Sequence, residues 1–180
     1  MELGARARSL LEGAACVAVA AALSSGCKPA TGAHHAGAEH PLLGASAPAL
    51  DVPAADGKGN VALADHVGKV VIVDFWATWC EPCRQSFPAY QRLVERAGGK
   101  VVVLAVSVDE EPSGIGAFVR ETGVKFPVGW DEHQTAAKSY EPPTMPTSFV
   151  IDANGIVRFV HAGFSAGDER ALESELQSLY

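Results

Sequence analysis

"KVVIVDFWATWCEPCRQSFPAY", residues 69–90, changes its period halfway along. Residues 70–76 form a nearly continuous apolar run rich in β-branched side chains, which suits a central strand buried on both faces. Farther on, Phe87, Tyr90, Val94 and Ala97 recur at spacings of three or four, as on one face of a helix, and Gly98 with Gly99 ends the run. Cys80 and Cys83 therefore fall where a buried strand hands over to a helix. Unpaired N–H groups at a helix N-terminus favour an anion, so a Cys80 thiolate is expected below the free thiol pKa of about 8.5. Cys83 lies one helical turn on, within reach to close a disulfide, and Pro82 is tolerated in the first turn. An exposed Cys80 thiolate could attack a disulfide, and Cys83 could then release the mixed disulfide. A zinc site would need two more Cys or His ligands, and the sequence offers no second C-x-x-C.

The remaining body alternates strands and helices. A short strand is expected at 61–63, a turn near Gly68, and a second buried strand in "KVVVLAVSVD". Asp109 and the following "EEP" read as a helix start, with acids near the N-terminus and Pro112 in the first turn. That helix is expected to reach Thr122, followed by a strand near 127–129 and a weaker helix over 132–140. "TSFVIDANGIVRFVHAG" reads as a hairpin with Asn154 and Gly155 as the turn. Ser165 and Asp168 resemble a capping box before a stripe of Leu172, Leu176 and Leu179. The expected class is α/β: a central mixed β-sheet with helices on both faces and an N-terminal extension.

Arg6 and Arg8, the apolar run 13–23 and the small residues before Cys27 describe an export signal. "LSSGC" resembles a bacterial lipobox, although Ser24 stands where Leu is usual; the resemblance implies lipidation of Cys27. Three parts are expected: a signal over 1–26, a flexible Ala/His-rich tether over 27–47, and a domain over 48–180. His34, His35 and His40 lie in the tether and read as solvated linker residues. The net charge of −7, with no basic cluster, argues against nucleic-acid binding.

"VDFWATWCEPCR", with "PTMPTSFVIDANG" about sixty residues later, resembles the TlpA/ResA-like exported branch of the thioredoxin superfamily. The resemblance covers residues 44–180 and implies a thioredoxin-like fold and thiol-disulfide exchange without a cofactor. It implies Cys80 as nucleophile, Cys83 as resolving cysteine and Pro146 as the cis-proline facing them. Trp79 and Met145 would border an extended substrate, and Pro88 would kink the active-site helix. That branch often carries Glu at the position of Ser86; thioredoxins proper carry a buried Asp at the position of Asp74. We expect Asp74 to serve as the base for Cys83, because burial raises a carboxyl's pKa. The expected protein is a periplasmic, membrane-anchored monomer and a reductase, as in cytochrome c maturation or rescue of protein thiols. Its partners would be a protein or small-molecule disulfide and a membrane thiol donor. The alternative is a Sco-like copper chaperone using the cysteines with His161, although that family's gap is C-x-x-x-C. A peroxiredoxin would carry a lone cysteine after a Pro-rich loop.

Overall fold

The structure is a computed structural model that describes residues 40–180. The expected export signal, Cys27, His34 and His35 lie outside the described residues.

β1 (Asp51–Pro53) and β2 (Asn60–Ala62) pair as a short antiparallel ribbon. β3 (Val70–Trp76) follows, with every residue buried. α1 (Glu81–Ala97) leads to β4 (Val101–Ser107), and α2 (Ile115–Thr122) leads to β5 (Val128–Trp130). α3 (Thr135–Tyr140), the hairpin β6 (Thr147–Ile151) and β7 (Val157–Ala162), and α4 (Asp168–Gln177) complete the chain. The strand order is β5-β4-β3-β6-β7. β3, β4 and β5 are parallel; β6 runs antiparallel to β3, and β7 to β6. The apolar run at 70–76 thus forms the central strand, which is why both of its faces are covered.

Alternation along β3 divides the core. Val70, Ile72 and Trp76 join residues of α1, α2 and α4 on one face, including Phe87, Phe118, Leu172 and Leu176. Val71, Val73 and Phe75 join Ala136 and Tyr140 of α3 and Phe149 of β6 on the other. Fully burying a Leu or Phe side chain is worth about 1.5–3 kcal/mol. The exposed pairs of Arg92 and Arg96 with Glu169 and Glu173 contribute about 0–1 kcal/mol each, so Leu93, Leu172 and Leu176 are the main hold between α1 and α4.

Several local expectations need correcting. The helix after β4 does not begin at Asp109: a 3-10 turn at Pro112–Gly114 comes first, and α2 starts at Ile115. α3 begins at Thr135, where Asp131 accepts the backbone N–H groups of Thr135, Ala136 and Ala137 at 2.8–3.2 Å. The hairpin uses a three-residue loop, 153–155, with only Gly155 at positive φ, rather than a two-residue Asn-Gly turn. Of the capping box only the reverse half forms, Asp168 accepting from Ser165 N–H at 2.7 Å. Residues 40–47, placed in the tether by composition, are held on the body. The backbone N–H groups of Gly44 and Ala47 donate to Val157 and Gly155, and His40 packs edge-on against Phe149.

Candidate functional site

β3 ends at Trp76, and the chain reaches α1 through Ala77, Thr78 and Trp79. Cys80 is the residue that caps α1. Its backbone is extended (φ −85°, ψ 104°), and its Sγ accepts the N–H of Cys83 at 3.2 Å. A sulfur here takes the place of the usual Ser or Asp oxygen, so a thiolate on Cys80 would gain a donor and the positive end of the helix. Cys80 and Cys83 are joined in a disulfide with their Cα atoms 5.3 Å apart. Cys80 is only 4% exposed and Cys83 is fully buried. The expected exposed thiol is therefore an almost covered one, with the 72%-exposed Trp79 beside it in sequence.

The loop before Cys80 is pinned by Asp109. Its carboxylate accepts the Thr78 N–H at 3.0 and 3.1 Å, the Thr78 hydroxyl at 2.7 Å and the Ser107 hydroxyl at 2.7 Å. Its backbone carbonyl accepts Trp130 Nε1 at 2.8 Å. This corrects the helix-start reading of Asp109: the side chain serves the loop after β3 and the end of β4 instead of α2. Gly114 packs close to Thr78, and a Cβ there would meet Thr78 Cγ2 at 3.2 Å. A groove of about 540 Å³ opens beside this loop, lined by Thr78, Trp79, Asp109, Glu110, Glu111 and Gly114 among others.

The Met145–Pro146 bond is cis. Register places it: Thr147 pairs with Phe75, so Pro146 lies next to the end of β3, from which the cysteine loop departs. Pro146 is buried, and half-buried Met145 packs against the cluster that contains both cysteines. Pro88 lies inside α1, which continues through it. Arg84 bonds Glu121 at 2.6 Å and reaches Glu81, the acidic residue between the cysteines, only at 3.8 Å, so its main partner is Glu121.

Asp74 is buried completely, on the face of β3 that α1 covers. Tyr90 and Ser148 hydroxyls lie 3.2 and 3.0 Å from its Oδ1 and 2.6 Å from each other. Oδ2 has no hydrogen-bond partner among the described residues. Burial raises the Asp74 pKa to about 7, against a lowering by Ser148 and then Tyr90. Burial, then the Asp74 charge, push the Tyr90 hydroxyl well above its ordinary value. Ser86 is buried and donates to the Cys83 carbonyl at 3.2 Å. His161 is bonded to Glu175 at 2.7 Å. Among the described residues, no group of three His, Cys, Asp or Glu side chains could hold a metal ion.

Sequence reasoning missed Asp109, Tyr90 and Ser148. The signal for Tyr90 was its place on the stripe Cys83, Ser86, Tyr90 of one helix; nothing in the sequence gave the register that brings Ser148 to Asp74.

Residues 43–160 match the family model described as the AhpC/TSA family. The thiol-disulfide oxidoreductase ResA of Bacillus thuringiensis is 37% identical over 116 residues, 64% of this chain and 66% of that protein. ResA of Geobacillus kaustophilus is 35% identical over 137 residues, 73% of this chain and 77% of that one. A crystal structure of a candidate thiol:disulfide interchange protein DsbE from Chlorobium tepidum superposes with a TM-score of 0.72. It is 36% identical and covers 76% of this chain and 96% of that one.

Proposed function

The chain belongs to the AhpC/TSA family and to the ResA-like thiol-disulfide oxidoreductases of the thioredoxin superfamily, and from that premise we propose that it acts as an exported disulfide reductase. The observation that carries the reading is the Cys80 sulfur at the cap of α1, with Cys83 buried behind it. The Cys80 thiolate attacks a substrate disulfide, one substrate thiolate leaves, and a mixed disulfide forms on Cys80. Cys83 loses its proton to the Asp74 carboxylate and attacks Cys80 Sγ; the second substrate thiolate leaves and the enzyme disulfide closes. Asp74 suits this work because a carboxyl titrating near neutrality can take and return a proton at ambient pH. Met145 and Pro146 border the substrate chain on one side of the sulfurs, and Trp79 borders it on the other.

The enzyme disulfide is reopened by a membrane thiol donor. The protein works as a monomer on the periplasmic side, held by lipid on Cys27, and its substrates are oxidised thiols of exported proteins, including those of cytochrome c maturation. The basic start, apolar run and small residues before Cys27 support export and anchoring. Equilibration of the Cys80–Cys83 pair with glutathione tests the direction. A potential near that of thioredoxin, about −270 mV, fits a reductase; one near DsbA's, about −120 mV, would make the protein an oxidant. Release of a Cys27→Ala variant from membranes tests the anchor; unchanged partitioning would refute it.

A further inference from the structure

We infer that Tyr90 and Ser148 are positioning residues for proton transfer, gripping one oxygen of the Asp74 carboxyl and leaving the other as the oxygen that exchanges a proton with Cys83. The inference rests on the proposed role of Asp74 as the base for Cys83.

The three oxygens, Asp74 Oδ1, Tyr90 OH and Ser148 Oγ, lie 2.6–3.2 Å apart. Tyr90 and Ser148 bring two hydroxyl hydrogens to these three contacts. With the short Tyr90–Ser148 contact made, one hydroxyl donates to Asp74 and is itself polarised by the other. Oδ1 therefore receives a direct, reinforced donor in either arrangement. Oδ2 receives none. A partnerless buried carboxylate oxygen is costly, so Oδ2 is where the proton resides when Asp74 is neutral.

When a donor thiolate attacks Cys80 Sγ, the disulfide breaks and Cys83 leaves as a thiolate. Cys83 takes the proton from Oδ2, and Asp74 becomes a carboxylate whose charge is held by the donor on Oδ1. The reverse step returns the proton. Both hydroxyls stabilise the charged form, so they set the pH at which the transfer works and oppose the effect of burial.

Among the described residues, the groups around Asp74 are few. From α1 comes Tyr90, with Ser86 against its hydroxyl and Cys83 two turns earlier on the same buried stripe; β4 places Ala105 opposite; β6 places Ser148. One strand farther, β7 places His161 opposite Ser148, bonded to Glu175 of α4. Because His161 is also a titratable group, a direct readout of the carboxyl is required.

The Asp74 carboxyl is followed by carbon-13 NMR in the oxidised protein, beside the pH profile of mixed-disulfide resolution. Losing a hydrogen bond to the charged form shifts a titration by about one pH unit. Ser148→Ala and Tyr90→Phe should each raise both inflections by about that much, and Ser148→Thr should restore them. Inflections that stay in place in both variants, while Asp74→Asn abolishes the kinetic one, would overturn the inference and leave the base intact. A kinetic inflection that survives Asp74→Asn would overturn the base reading instead. The Ser148→Ala and Ser148→Thr pair decides alone if Tyr90→Phe does not fold.

Discussion

The two faces of the central sheet are built from the same strand but hold opposite chemistry. On the α3 face, Phe75, Tyr140 and Phe149 stack edge-on or tilted at 5.1–5.8 Å, and the Tyr140 hydroxyl escapes to the Pro48 carbonyl. That face is apolar packing and little else. On the α1 face, aromatic packing of Trp76, Phe87 and Phe118 surrounds a buried carboxyl, two hydroxyls and a disulfide. One face accepts the cost of a buried ionisable group, and the other supplies stability without chemistry. The alternation of β3, one residue to each side in turn, separates the two tasks.

Substitutions that exchange these properties should break the contrast. The largest effect on stability is expected on the apolar face. Phe149→Ala should cost about 3–5 kcal/mol in denaturant melts, yet leave the pH profile of disulfide exchange unchanged in the folded protein. A shifted profile would mean the faces are not independent.

Asp74→Asn should do the reverse. Between about pH 4 and 7 the native state keeps a proton on Asp74 that the unfolded chain has released, so stability falls as pH rises through that window. Above it the loss is on the order of 4 kcal/mol, from about three pKa units at about 1.36 kcal/mol each. The Asn variant should therefore be more stable than the parent at pH 8 and little different at pH 3. Equal stability at both would show that the buried carboxyl is not under this strain.

Asp109→Ala should fall between. It leaves Thr78 N–H and the Thr78 and Ser107 hydroxyls without their shared acceptor, at a cost of about 1.5–3 kcal/mol, and should slow exchange by loosening the loop before Cys80. Unaltered exchange would make Asp109 purely structural. The smallest effect should come from Glu169→Ala, about 0–1 kcal/mol, because its arginine partners are exposed and salt screens the pairs.

The sequence displayed the elements far better than their contacts. β3 and α1 were legible because burial writes itself into apolar period, and the cysteine pair because its junction is local. Asp109 was not, because its acceptor role depends on Thr78, 31 residues earlier in the chain. The grip on Asp74 was hidden for the same reason. Tyr90 lies 16 residues away and Ser148 lies 74 away, and an antiparallel register decides which strand residue faces it. Asp131 illustrates a signal that was available: an acid four residues before a short helix, folded back onto its first N–H groups.

On this reading Cys83 exchanges its proton with Asp74 when the disulfide opens and closes. The most direct test is the rate at which Cys83 resolves a mixed disulfide on Cys80, measured by stopped flow from pH 5 to 9 in the parent and in Asp74→Asn. The parent should show an inflection near pH 7, and the variant should lack it and resolve more slowly above that pH. Superimposable profiles would contradict it.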